Sequence, residues 1–227
     1  CFACFAVPEE EKCVLSESPL AKEFGSLRLS NGIISADVIP GISTLTASFC
    51  YLPEKLEVIP GFTYTVEKEE LLPDVLRCAS TGGRELLWGV KFFYNVPWKV
   101  LEKKTTSGKV SISMENEFFM SEDLSAVKTV SLEKGDSKLR ILFEISNKDR
   151  TPKEVMLWTN MIPRLGTESM DPVLIPAKGG LRRSGKVTVS RFPEDALFED
   201  VDPGRKEIFA APSRSWLACR SSERKGI

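Results

Sequence analysis

The chain has 227 residues, of which 42% are hydrophobic, and it carries 31 basic and 32 acidic residues. This size suits one large all-β domain or two small domains, and a balanced charge without a basic stripe argues against nucleic acid as a partner. The chain has no histidine, which excludes any mechanism that needs imidazole as an acid, a base or a metal ligand.

Residues 1–13 begin with the apolar run Cys-Phe-Ala-Cys-Phe-Ala-Val-Pro and then become charged. A short apolar run of this kind is typical of the tail of an export signal or of a membrane anchor. The alternative is an arbitrary start followed by an edge strand. We expect an extracytoplasmic protein, periplasmic or held to the membrane only by an N-terminal anchor, because no later segment approaches the roughly 18 apolar residues of a membrane span.

The six cysteines lie at positions 1, 4, 13, 50, 78 and 219. Cys1 and Cys4 form a single C-x2-C pair, and a structural zinc site usually needs a second pair or histidines. We therefore expect no metal site, and no motif indicates a cofactor. Cys50 and Cys78 lie in strand-like segments. The sequence is compatible either with two buried thiols or with one disulfide between them.

From residue 14 onward, turn signals at short intervals, among them Asn31-Gly32 and Lys134-Gly135-Asp136, separate runs in which apolar and polar residues alternate with period two. Helical periodicity is scarce: residues 67–77 are the best candidate, although Pro73 interrupts them, and residues 193–199 fit one short turn. Many short strands without intervening helices predict an all-β fold, a large antiparallel sandwich over residues 14–227. The predicted strands are 33–39, 42–49, 86–94, 110–114, 126–133, 139–145, 155–161, 186–191 and 215–220.

The strand over 155–161 carries Trp158 and Asn160, which period two places on one face. An indole packs well against the C–H face of a sugar ring, and an amide both donates to and accepts from hydroxyls. The pair therefore predicts a carbohydrate contact. A core tryptophan followed by an asparagine that closes a turn is the alternative.

A second candidate group surrounds a glycine pair at 82–83 and includes Arg84, Trp88 and Trp98. These residues fall near predicted strand ends, where binding residues are often found. The alternative is a β-turn with scattered core aromatics.

Other charged groups are weaker candidates. Glu115 and Glu117 share one strand face, but they point in parallel and cannot flank a glycosidic bond, so we interpret them as a solvated face. Glu168 and Asp171 form a second acidic pair, and the basic segment 178–183 lacks the helix that a phosphate site would need.

The order of these segments resembles the galactose mutarotase-like superfamily, whose fold is a large antiparallel supersandwich. The resemblance covers about residues 25–220 and rests on four segments: residues 29–45, residues 128–147, residues 158–160 with 175–177, and residues 215–218. It implies a concave sheet face suited to carbohydrate, lined here by Trp158, Asn160, Trp88, Trp98 and Arg84.

The departures from that superfamily limit what the resemblance implies. Its aldose epimerases use histidines near the tryptophan strand and a glutamate on a late strand. Here Thr159 lies in that neighbourhood, no histidine exists and no late glutamate matches. We therefore expect a non-catalytic carbohydrate-binding domain with no catalytic residues, although a sugar enzyme that uses carboxylates alone stays open.

The same architecture occurs in the extracytoplasmic domain of YidC-type membrane insertases. Residues 51–60 and 128–147 are compatible with that domain, whereas residues 158–160 fit the sugar-associated branch better. An interaction domain that contacts membrane-protein machinery is therefore the alternative function.

Overall fold

The computed structural model describes residues 12–42, 44–59, 66–69, 72–78, 83–87, 97–117, 123–154, 157–161, 173–175, 182–184, 187–192, 195–200, 207–209 and 218–219. The chain divides into two compact units, Cys1–Ile162 and Pro163–Ile227. Each unit has its own sheets. All described strand pairs are antiparallel, and the described segments hold only one short 3-10 helix, Lys22–Phe24. The predicted all-β fold is therefore confirmed for this part of the chain.

The first unit contains a seven-stranded, a four-stranded and a two-stranded sheet. Its strands are β1 (Val14–Glu17), β2 (Leu27–Ser30), β3 (Ile34–Ile39), β4 (Leu45–Tyr51), β5 (Leu56–Ile59), β6 (Val66–Glu69), β7 (Leu72–Cys78), β8 (Gly83–Leu87), β9 (Lys99–Thr105), β10 (Lys109–Asn116), β11 (Leu124–Glu133), β12 (Arg140–Asn147) and β13 (Leu157–Met161). The seven-stranded sheet has the order β1-β2-β3-β4-β8-β13, with β5 also on β4. The four-stranded sheet has the order β12-β11-β10-β9, and β6 pairs with β7.

The second unit contains a four-stranded sheet of order β16-β17-β14-β19 and the pair β15-β18. These strands are β14 (Val173–Ile175), β15 (Arg182–Ser184), β16 (Val187–Phe192), β17 (Asp195–Asp200), β18 (Glu207–Phe209) and β19 (Ala218–Cys219).

β11 shows why these sequences form strands. Leu124, Ala126 and Val130 are buried, whereas Val127 and Thr129 between them are only half-buried. Because successive side chains of a strand point to opposite faces, this alternation gives β11 one face toward a core and one toward solvent.

Buried side chains from both large sheets of the first unit belong to one hydrophobic cluster. Burial of an aliphatic side chain contributes about 1.5–3 kcal/mol, so a cluster of this size stabilises both sheets together. The seven-stranded sheet contributes Leu27, Leu29, Ile34 and Val38, and the four-stranded sheet contributes Val110, Ile112, Met114, Leu124, Ala126, Val130 and Leu132.

The side chain of Asn31 connects the two sheets at their turns. Asn31 lies between β2 and β3 and is fully buried. Its Nδ2 donates to the carbonyl oxygens of Glu133 at 2.7 Å and Asp136 at 2.6 Å, in the turn between β11 and β12. Its Oδ1 accepts from the backbone N–H groups of Ile33 at 3.0 Å and Ile34 at 2.8 Å. These four hydrogen bonds use the full capacity of one amide.

The turn between β3 and β4 depends on a close backbone approach at Gly41. The Gly41 N–H donates to the carbonyl oxygen of Phe24 at 3.0 Å. A Cβ on Gly41 would lie 2.6 Å from that oxygen, so only glycine fits without a shift of the backbone. The 3-10 helix can therefore pack on this turn, where Phe24 joins a small cluster around Ile42.

Two helical predictions are wrong. Residues 67–69 and 72–77 lie in the antiparallel pair β6–β7 rather than in a helix, since Pro73 would remove a helical hydrogen bond and clash with the preceding turn. Residues 193–199 overlap β17, which pairs with β16 and β14. Ladder pairing with two neighbours outweighs the local preference for a turn.

Candidate functional site

The strand pair β8–β13 brings together three of the five residues predicted to contact carbohydrate. Asn160 lies directly opposite Arg84, and Trp158 lies opposite Leu86 in the antiparallel register. Directly opposed residues are the closest neighbours across an antiparallel pair. Arg84 and Asn160 are 76 positions apart in the sequence, and the register makes them adjacent. Trp88 lies outside the described residues.

The structure places Trp98 in the hydrophobic core of the first unit. Only 5% of its surface is exposed, and its ring lies 5.9 Å from the ring of Phe143 in a tilted arrangement. Its backbone N–H donates to the carbonyl oxygen of Pro40 at 2.9 Å. A covered indole presents no face to a dissolved sugar, so we leave Trp98 out of the site proposed below.

A buried polar group lies where β8 meets β4. Gly83, the first residue of β8, is itself buried and pairs with Thr46. Thr46 is fully buried, and within the described residues its Oγ1 makes no hydrogen bond. A buried hydroxyl therefore lies near the start of β4, opposite Gly83. Gly83 immediately precedes Arg84, the residue that pairs with Asn160.

Lys128 of β11 reaches this end of β4 through the core. Its side chain is fully buried, and Nζ donates to the carbonyl oxygen of Thr44 at 2.9 Å. Thr44 has a φ of 53°, a conformation that costs a β-branched residue about 1–3 kcal/mol. A buried ammonium needs a hydrogen-bonded partner, and the carbonyl oxygen of Thr44 is such a partner. The resulting charge-assisted hydrogen bond helps to hold Thr44 in this conformation. Lys128 therefore positions the backbone from which β4 starts.

Sequence reasoning missed Lys128, although a signal was present. Residues 124–132 alternate, and Lys128 falls in step with Leu124, Ala126 and Val130 on the apolar face. A lysine in step with an apolar stripe indicates a buried ammonium, because a charged side chain is almost never buried without partners.

A bidentate ion pair connects β2 and β3 at positions that alternate with the core residues. Nε of Arg28 lies 2.8 Å from Oδ1 of Asp37, and a terminal nitrogen of the guanidinium lies 2.8 Å from Oδ2. The hydrogen bond to Asp37 raises the pKa of Arg28. Both carboxylate oxygens of Asp37 are engaged and its side chain is buried, so this pair stabilises the sheet.

Cys50 and Cys13 are free thiols. This resolves the alternative for Cys50 in favour of a thiol over a disulfide with Cys78. Desolvation, and then the negative charge of Glu57, raises the pKa of Cys50, while Arg28 acts in the opposite direction. Desolvation likewise raises the pKa of Cys13. Because the thiolate is the nucleophile, a raised pKa makes both thiols poorly reactive at neutral pH.

We expect alkylation of Cys50 by iodoacetamide to reach half its maximal rate at a higher pH in the folded chain than in the urea-unfolded chain. Mass spectrometry of the Cys50 peptide across a pH series measures this shift. Since the folded pKa is raised, the contribution of Cys50 to stability is present below the unfolded pKa and is lost as pH rises through the folded pKa. Equal midpoints in both states would contradict the assignment.

Glu115 is half-buried, and Glu117 is exposed with its backbone carbonyl accepting from Nζ of Lys148 at 2.8 Å. Glu168, Asp171 and residues 1–11, which include most of the predicted anchor, lie outside the described residues.

Among the residues that are described, no acidic or cysteine cluster could hold a metal ion. None of the described helices has the length and apolar character to span a bilayer.

Comparison of the chain with known protein families, with curated proteins and with solved structures found no match. The function proposed below therefore rests on the strand register of the first unit.

Proposed function

We propose that this protein is a non-catalytic carbohydrate-binding domain that works outside the cytoplasm, with a sandwich architecture of the galactose mutarotase-like type. The observation that carries the proposal is the register of β8 and β13, which sets Asn160 opposite Arg84 with Trp158 two residues along the same strand.

The chemistry of these three residue types suits a sugar. An indole supplies apolar area for the C–H face of the ring. An amide donates and accepts, and a guanidinium donates through five N–H groups, so together they satisfy neighbouring hydroxyls. A guanidinium also binds carboxylates in a bidentate manner, and the site should therefore favour a sugar that carries a uronic acid.

The shared hydrophobic cluster supports a sandwich as the architecture, because its members come from both large sheets. The buried Lys128–Thr44 contact supports a rigid start of β4 beside the site. A binding face on a rigid sheet loses little conformational freedom when it takes a ligand.

Titration with a panel of neutral and uronic-acid oligosaccharides tests the proposal, with tryptophan fluorescence as the readout. We expect saturable quenching or a blue shift with an apparent dissociation constant below about 1 mM, and tighter binding of the acidic sugars. Trp158→Ala should remove most of the signal, while Trp98 in the core contributes a constant background. No response of the wild-type chain to any member of the panel would contradict the proposal.

A further inference from the structure

The outer edge of β12 is open. β12 is the last strand of the four-stranded sheet and pairs with β11 on one side. In the described part of the chain no strand pairs with its other side. An exposed strand edge without a neighbouring strand is a template for a further strand.

The two edges of this sheet differ in how they discourage pairing. β9 carries Lys99, Glu102, Lys103 and Lys104, and charges of this kind protect an edge from another strand. β12 carries only two charged residues, Arg140 and Glu144, and it exposes Leu142, which at 56% is more exposed than Leu101 of β9 at 46%. β12 therefore has the features of an edge that takes a partner.

We propose that a second copy of this chain pairs with β12 in antiparallel orientation, with Leu142 opposite Leu142 of the second copy. In this register Arg140 lies opposite Glu144 of the second copy, and by symmetry Glu144 lies opposite the second Arg140. The two four-stranded sheets then form one eight-stranded sheet across the two copies.

Charge complementarity selects this register. Within its own sheet Arg140 lies opposite Ser131 and Glu144 lies opposite Val127, both uncharged. In the described residues Glu144 has no ion pair. Arg140 bonds Asp136 at 3.0 Å and approaches Glu133 at 3.6 Å, yet half of its side chain is exposed. Its five N–H donors leave capacity for one further carboxylate.

Neighbouring registers lose this complementarity. Centring the pair on Ile141 sets Arg140 opposite Leu142, and centring it on Phe143 sets Glu144 opposite Leu142. Centring it on Arg140 or Glu144 opposes like charges, which destabilises an antiparallel pair. The register centred on Leu142 also sets Ile141 opposite Phe143, so the half-buried apolar side of β12 continues into the second copy.

Sedimentation equilibrium of the full chain tests the proposal through charge exchange. The wild type should form a dimer at concentrations between about 10 µM and 1 mM, since one strand pairing is a small interface. Arg140→Glu and Glu144→Arg should each weaken self-association by about tenfold or more, because each opposes like charges twice. An equimolar mixture of the two variants should form a heterodimer, since every opposed pair is again Arg with Glu.

Native mass spectrometry of the mixture, with one variant isotope-labelled, identifies the heterodimer. Leu101→Arg on β9 is the matched control and should leave the dimer unchanged. Arg140→Glu also removes the contact with Asp136, so its fold is checked by circular dichroism, and Glu144→Arg supplies the independent arm. A wild type that stays monomeric at about 1 mM, single variants that dimerise like the wild type, or a mixture no stronger than either variant would each overturn the proposal.

Discussion

Ile112→Ala should lower the free energy of unfolding by about 3–4 kcal/mol. Ile112 lies on β10, is fully buried, and belongs to the cluster that the two large sheets of the first unit share. Its truncation removes three methyl or methylene groups from water-free surroundings and leaves a cavity that rigid sheets cannot close. Urea denaturation followed by circular dichroism measures the change.

Leu101→Ala is the matched control for Ile112→Ala, since Leu101 lies on the adjacent strand β9 and is 46% exposed. We expect a change within about 0.5 kcal/mol, as for most exposed positions. If Ile112→Ala were as mild as Leu101→Ala, the two sheets would not share a packed core.

Asn31→Ala should lower the free energy of unfolding by about 3 kcal/mol. The substitution leaves two backbone N–H groups and two carbonyl oxygens without the partners that the buried amide supplies. Asn31→Asp should be at least as destabilising at neutral pH. It keeps the acceptor for Ile33 and Ile34 but sets a carboxylate against the carbonyl oxygens of Glu133 and Asp136.

Asn147→Ala is the control for Asn31→Ala. Asn147 also donates through Nδ2, to the carbonyl oxygen of Thr151 at 2.8 Å, and accepts from the Asp149 N–H at 3.1 Å, but it is exposed. Water replaces its lost partners, so we expect a loss below about 1 kcal/mol. Equal losses at positions 31 and 147 would show that Asn31 does not connect the sheets.

Several strands could be predicted because local alternation determines them. The predicted strand over 126–133 is observed as Leu124–Glu133, and the predicted strand over 139–145 as Arg140–Asn147. Glycine turn signals were equally informative: Gly32 and Gly135 have positive φ values of 88° and 74°. These features depend on neighbouring residues, and a sequence shows neighbours directly.

Contacts between distant segments could not be predicted in the same way. The Asn31–Gly32 turn was predicted, but its hydrogen bonds to a turn a hundred residues later depend on how two sheets stack. The Arg84–Asn160 pairing depends on strand order, which places β13 beside β8. Trp98 reads in sequence like a strand-end aromatic, and only packing against Phe143 shows that it is a core residue.

Isothermal titration calorimetry of two neighbouring variants tests whether the strand positions of Arg84 and Asn160 form the proposed carbohydrate site. Asn160→Ala should weaken binding of the tightest sugar of the panel by about tenfold, whereas Thr159→Ala, at the alternate position of β13, should change it less than twofold, or by about 0.4 kcal/mol. Unchanged affinity in Asn160→Ala, or an equal loss in Thr159→Ala, would contradict the account.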